Sequence, residues 1–247
     1  MNTDKPTIPN LPDKQLPRIP MSMAEIHEAS QERIYEISRE FTAGFKFLEQ
    51  FPRSVTVFGS ARSLEDNKYY ILARHLAGRI VKELDYAVTT GGGPGIMEAA
   101  NRGAKEAGGK AVGLTIRLPK EQIMNHYLTD HVDFYYFFSR KVCLSYSAEA
   151  FLFFPGGYGT LDEFFEIVTL LQTHKIPKIP VILIGVEYWE KIKGLLENDI
   201  LSRGNIDLDD LNLFITTDNE DEILDVIRNA PVRISVPYDG LKVNPIE

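Results

Sequence analysis

Ala150-Phe151-Leu152-Phe153-Phe154-Pro155-Gly156-Gly157-Tyr158-Gly159-Thr160-Leu161-Asp162-Glu163 runs from an apolar segment through a glycine turn into an amphipathic one. The segment 150–154 reads as a buried strand. Phe164, Phe165, Ile167, Val168 and Leu171 follow at the spacing of a helix face. A strand, a glycine turn and a helix start together make an anion site. Glycine lets the backbone come close to a ligand, and the first N–H groups of a helix have no partner within it. The Thr160 hydroxyl adds a donor, and Glu163 stands about one turn further in. Thr160-x-x-Glu163 also fits a capping box, in which the glutamate only closes the helix start. A cap does not require Gly-Gly-Tyr-Gly in front of it, which tilts the reading toward a phosphate grip with a carboxylate beside it.

The same alternation extends in both directions. Strands are expected at 55–58, 86–90, 111–116, 180–184 and 213–216, with a further strand at 133–138. Helices are expected at 69–84, 95–107, 160–173, 187–197 and 220–228, and one from a cap at Ser139 through 147. Strands alternating with helices predict an α/β fold, a Rossmann-like doubly wound parallel sheet with helices on both faces. Ligands of such sheets bind beyond the carboxyl ends of the strands. Three glycine turns fall there: Gly59-Ser60-Ala61-Arg62, Gly91-Gly92-Gly93-Pro94-Gly95 and Gly156-Gly157-Tyr158-Gly159.

Residues 1–20 carry five prolines and read as an extended arm. Residues 21–52 read as a helical extension, with Ile34, Ile37, Phe41, Phe45 and Leu48 at helical spacing. Residues 53–230 form the main domain, and 231–247 a tail.

Composition narrows the function. The 247-residue chain is 44% hydrophobic, enough for a full core, and its net charge is −8. That charge argues against a general nucleic-acid or anionic-membrane surface and leaves room for a local phosphate pocket. Cys143 is the single cysteine, so no intrachain disulfide or cysteine metal cluster is expected. The five histidines lack metal-ligand spacing, and no apolar run approaches a membrane span. With no signal peptide at the start, a soluble cytoplasmic protein is expected. Neither G-x-G-x-x-G nor G-x-x-x-x-G-K-[ST] occurs, so hydride transfer and nucleoside-triphosphate hydrolysis lose weight. Arg140 and Lys141 stand at an expected helix start, against the helix dipole, which a bound anion explains better than a solvated pair. Arg62, in the first glycine turn, reads equally as surface or as ligand contact. The aromatic cluster 134–138 reads as core or interface.

Taken together, Pro155-Gly156-Gly157-Tyr158-Gly159-Thr160 with Glu163, the upstream Arg140-Lys141 pair and Gly91-Gly92-Gly93-Pro94-Gly95-Ile96-Met97-Glu98 resemble the Lonely Guy family, in its longer bacterial group. The resemblance runs from about Ser54 to Arg228. It implies hydrolysis of the N-glycosidic bond of a nucleoside 5′-monophosphate, giving free base and ribose 5-phosphate with no metal or organic cofactor. It implies Arg140 and Glu163 as the catalytic pair. It places phosphate on Gly157, Gly159 and Thr160, with Gly156 and Tyr158 beside them as expected substrate contacts. Ser60, Arg62, Gly91, Gly92, Gly93, Glu98, Glu121, Lys141 and Thr169 join them as expected substrate contacts. It also implies a homodimer or higher homo-oligomer. The alternative is a carrier of a nucleotide-derived ligand such as molybdenum cofactor, which has no need of both Arg140 and Glu163.

Overall fold

The computed structural model describes residues 22–117 and 124–231. The expected arm over 1–20, the Glu121 site and all but the first residue of the tail lie outside the described residues. The elements follow in the order α1 (Met23–Leu48), β1 (Ser54–Phe58), α2 (Lys68–Leu84), β2 (Ala87–Thr90), α3 (Ile96–Glu106), β3 (Ala111–Ile116), β4 (Asp130–Phe134), α4 (Phe137–Ser145), β5 (Ala150–Phe153), α5 (Tyr158–Gln172), β6 (Val181–Leu183), α6 (Val186–Leu195), β7 (Ile215–Thr216) and α7 (Glu220–Arg228). The chain divides into two compact units, Met1–Ser38 and Arg39–Glu247, so the boundary falls inside α1.

The sheet has the order β4-β3-β2-β1-β5-β6-β7, and every neighbouring pair is parallel. The chain steps outward from β1 to β4, then returns to place β5 on the free side of β1. The register there sets Val55 beside Ala150 and Phe58 beside Phe153. A reversal of this kind opens a crevice at the carboxyl ends of β1 and β5, where such sheets take their ligands.

The central strands are buried on both faces, which is why 150–154 is apolar without alternation. One face packs Val55, Val57, Val88 and Leu152 against Leu76, Ile80, Ala100 and Ile223 of α2, α3 and α7. The other packs Phe58, Phe151 and Phe153 against Leu144, Phe164 and Trp189 of α4, α5 and α6. Trp189 is fully buried, and its ring N–H donates to Phe153 O and Ile184 O at 3.1 Å each. Among the described residues no helix is long and apolar enough to cross a membrane.

Five expectations are corrected. The strand expected at 133–138 lies at Asp130–Phe134, and a helix begins at Phe137. The ladder ends there because the Glu40 carboxylate of α1 accepts from the amides of Tyr135 and Tyr136. Ser139 is therefore not the cap of α4; its hydroxyl also donates to Glu40. The helix expected from Thr160 starts two residues earlier, at Tyr158, with Gly157 in the cap position. The strand expected at 213–216 is shortened to Ile215–Thr216 by a 3₁₀ turn at Leu208–Asn212, closed by a capping box between Asp207 and Asp210. The helix expected to 197 ends at Leu195 and passes into a π-helical turn at Leu196–Leu201.

Candidate active site

The three glycine turns meet over the β1–β5 crevice and are tied together by backbone bonds. Ser60 N donates to Pro155 O, and Ile96 N to Ser60 O, both at 3.0 Å. Gly95 permits the second contact. Its φ is 71°, and a Cβ there would collide with Ser60 O. Beneath them opens a cavity of about 660 Å³.

Ser60, Arg62, Gly91, Arg140, Gly157, Tyr158, Gly159, Thr160 and Glu163 all line it. Phe58 and Met97 line it too, without any sequence signal beyond their neighbourhood. One side of the cavity is the start of α5. Gly157 in the cap position offers no side-chain bond, so the first amides of the helix have no capping partner. An added Cβ on Gly157 or Gly159 would meet no atom within 4 Å, so both glycines face open space. Gly156 lies behind the turn. A Cβ on it would run into Thr160 Oγ1, and its carbonyl accepts from the Tyr188 hydroxyl at 2.8 Å.

Arg140 reaches the cavity from α4. Its Nε donates to Leu114 O in the second half of β3, 2.7 Å away. That bond turns Nη1 toward Glu163, whose Oε1 lies 3.7 Å from it. Both side chains are almost buried, at 11% and 12% exposure. The separation is too long for a direct hydrogen bond. A substrate hydroxyl or a water can therefore bridge the two groups. Burial pushes the Glu163 carboxyl up to about 7; Arg140 and then Lys141 oppose the rise, while Glu166 and Asp162 add to it. Burial lowers the Arg140 guanidinium from its ordinary value, and Glu163 counteracts this. The capping-box reading of Glu163 fails here, because Thr160 is already inside the helix.

Besides Gly156, five expected contacts lie elsewhere. Lys141 points away from the cavity into ion pairs with Asp162 and Glu166. Glu98 accepts from the Tyr70 hydroxyl at 2.9 Å, on the side of α3 that faces α2. Gly92 and Gly93 give their carbonyls to Asn125, through its N and Nδ2, both at 3.0 Å. Thr169 is exposed on α5, and among the described residues its hydroxyl bonds only its own helix, at Phe165 O. The Asn125 contact belongs to a buried network that sequence reading missed. Asn101 Oδ1 accepts from Asn125 Nδ2 and from Thr90 Oγ1, which in turn accepts from Gly92 N. A polar residue between Ala100 and Gly103 on the buried face of α3 was its one trace in the sequence.

A family model described as "Possible lysine decarboxylase" matches residues 97–227, more than half of the chain. The chain belongs to this family, the Lonely Guy family. Several Lonely Guy relatives carry names that state an activity, among them the following two. A rice protein, "Probable cytokinin riboside 5'-monophosphate phosphoribohydrolase LOG4", is 28% identical over 191 residues, 76% of this chain and 82% of its own. A Rhodococcoides fascians protein, "Cytokinin riboside 5'-monophosphate phosphoribohydrolase", is 30% identical over 152 residues, 60% of this chain and 75% of its own. The solved structure of TM1055, a structural-genomics target, matches with a TM-score of 0.51 and 26% identity, over 71% of this chain and 98% of that one. The molybdenum cofactor carrier protein of Chlamydomonas reinhardtii gives the same TM-score at 20% identity, over 71% of this chain and 96% of its own. At that identity the likeness shows the fold alone.

Proposed function

We propose that this protein hydrolyses the N-glycosidic bond of a nucleoside 5′-monophosphate to free base and ribose 5-phosphate. The observation that carries the reading is the Arg140–Glu163 pair, 3.7 Å apart and nearly buried, beside an uncapped helix start. The names of the rice and Rhodococcoides relatives support the same reaction.

The geometry suits the chemistry. The amides opening α5 and the Thr160 hydroxyl take the 5′-phosphate, with the helix dipole favouring its charge. Held there, the sugar is fixed for reaction, and the phosphate supplies binding energy remote from the bond that breaks. Breaking C1′–N builds positive charge on the ribose ring, as in glycoside hydrolysis. The Glu163 carboxylate faces that charge. With a value of about 7 it is also a far stronger base than an ordinary glutamate, suited to take a proton from the attacking water. Arg140 anchors a ribose hydroxyl or phosphate oxygen and favours the ionised form of Glu163. Water supplies the hydroxyl that ends on C1′, and the base departs with a proton.

A homodimer belongs to the same proposal. Tyr135, Phe137 and Phe138 are 66%, 57% and 47% exposed on and before α4, aromatic surface of the kind a subunit interface can cover. Light scattering at the dimer mass is the expected result; a monomer refutes this part.

The activity is tested by chromatography of the protein incubated with a panel of 5′-monophosphates and the matching nucleosides, beside Glu163→Gln and Arg140→Ala. Free base released from monophosphates alone, and by neither variant, is expected. Tight binding of nucleotides that stay intact overturns hydrolysis in favour of a carrier.

A further inference from the structure

Lys141 follows Arg140 on α4 but serves the other side of Glu163. Its Nζ lies 2.8 Å from Asp162 Oδ2 and 3.1 Å from Glu166 Oε2. Those two carboxylates are one turn apart on α5, and Glu163 stands between them. The Lys141 side chain is only 17% exposed. Glu166 Oε2 is fully buried and has no hydrogen-bond partner among the described residues, so the Lys141 ammonium is the charge that compensates it. An ammonium already shared by two carboxylates is poorly placed to bind a phosphate as well.

We infer that Lys141 is a positioning residue, which clamps α4 to α5 through Asp162 and Glu166 and so holds Glu163 opposite Arg140. The inference rests on the hydrolase reading for its effect on rate, and on geometry alone for its effect on Glu163. The charged groups around Glu163 are Arg140 and Lys141 from α4, Asp162 and Glu166 from its own helix, and Arg62 across the cavity from the β1 turn. Without Lys141, one of the two nearby cations is gone, and both flanking carboxylates lose their counter-charge. Glu163 then keeps its proton to higher pH, and less of it is carboxylate at neutrality.

The experiment titrates Glu163 in the full-length chain by carbon NMR of labelled glutamate, its signal assigned from Glu163→Gln. Lys141→Met is expected to raise the midpoint by about one unit, and Lys141→Arg to restore it. Lys141→Gln, which keeps a polar amide near the buried Glu166 oxygen without the charge, keeps the test valid should the Met variant fail to fold; it is expected to shift the midpoint the same way. Steady-state rates with 5′-AMP should show kcat at pH 7 lowered roughly fivefold, the loss that a one-unit rise near neutrality brings. KM should stay within about twofold, and the acid limb should move with the NMR midpoint. An unmoved midpoint in a folded Lys141→Gln protein overturns the inference. So does a raised KM at unchanged kcat, which would put Lys141 on the substrate. A wild-type protein that cleaves no monophosphate would defeat the hydrolase reading instead, and the titration would still decide what Lys141 does to Glu163.

Discussion

Gly91 leaves the space that Arg140 fills. A Cβ on Gly91 would stand on top of Arg140 Nη2 and 2.9 Å from Met97 Sδ. The second glycine turn thus makes room for the guanidinium at the cavity wall. Its absent side chain lets Arg140 lie flat between Leu114 O and Glu163.

Gly91→Ala is therefore expected to cost activity more than stability. The new methyl pushes the guanidinium off its line to Glu163, and displacement on the ångström scale costs about 10- to 100-fold in rate. Unfolding should change little, because the atoms that move border the cavity. Rates and melting temperature measured side by side check this; a large stability loss at unchanged rate would contradict it.

Glu163 makes both activity and stability depend on pH. Its carboxyl ionises at about 7 in the folded chain, against an ordinary value of 4.5. Between those values the unfolded chain has released a proton that the folded one keeps. The contribution of this group is thus fully present below pH 4.5 and is lost as pH rises through 7. Glu163→Gln carries no such penalty. Relative to wild type it should gain nothing at pH 4 and on the order of 2–3 kcal/mol at pH 8, read from urea unfolding at both values. In the wild type, kcat/KM for a monophosphate should climb with pH on an acid limb centred near 7, as the carboxylate forms. A variant less stable than wild type at pH 8 would mean that pairing with Arg140 outweighs burial.

Glu40 sets where α4 begins, and α4 carries Arg140. Its carboxylate accepts from Tyr135 N, Tyr136 N and the Ser139 hydroxyl. Glu40→Ala strands these donors at a cost of about 2 kcal/mol, or roughly 5 °C in melting temperature for a domain of this size. Glu40→Gln keeps an acceptor and should recover part of that loss. Calorimetry of both variants is the check.

The sheet was legible because its central strands are apolar throughout and its turns are rich in glycine. β3 and α7 lie where the periodicity puts them. The start of α4 was not legible. The group that fixes it, Glu40, is 95 residues away from Tyr135, and local aromatic composition favours a strand. The helix is expected to open at Thr160, whereas Gly157 takes the cap position with no side chain at all. Arg140 and Glu163 were found through a motif, yet their spacing across the cavity depends on Leu114 and Gly91, which no local pattern connects to them. Lys141 looked like a ligand contact because its partners lie on another helix, and nothing in the sequence says that α4 packs beside α5.

The return of the chain to place β5 beside β1 carries a kinetic consequence. Ser54 and Glu149, at the base of that pairing, are bonded across 95 residues. Closing so long a loop costs entropy before any contact repays it, and non-local parallel pairing of this kind is slow. β1 through β4 can assemble as neighbours first, but the crevice does not exist until β5 arrives with the α5 helix start behind it. Ligand binding during refolding would therefore report the last stage of assembly, and nucleotide added to a folding chain would trap only molecules that have completed it.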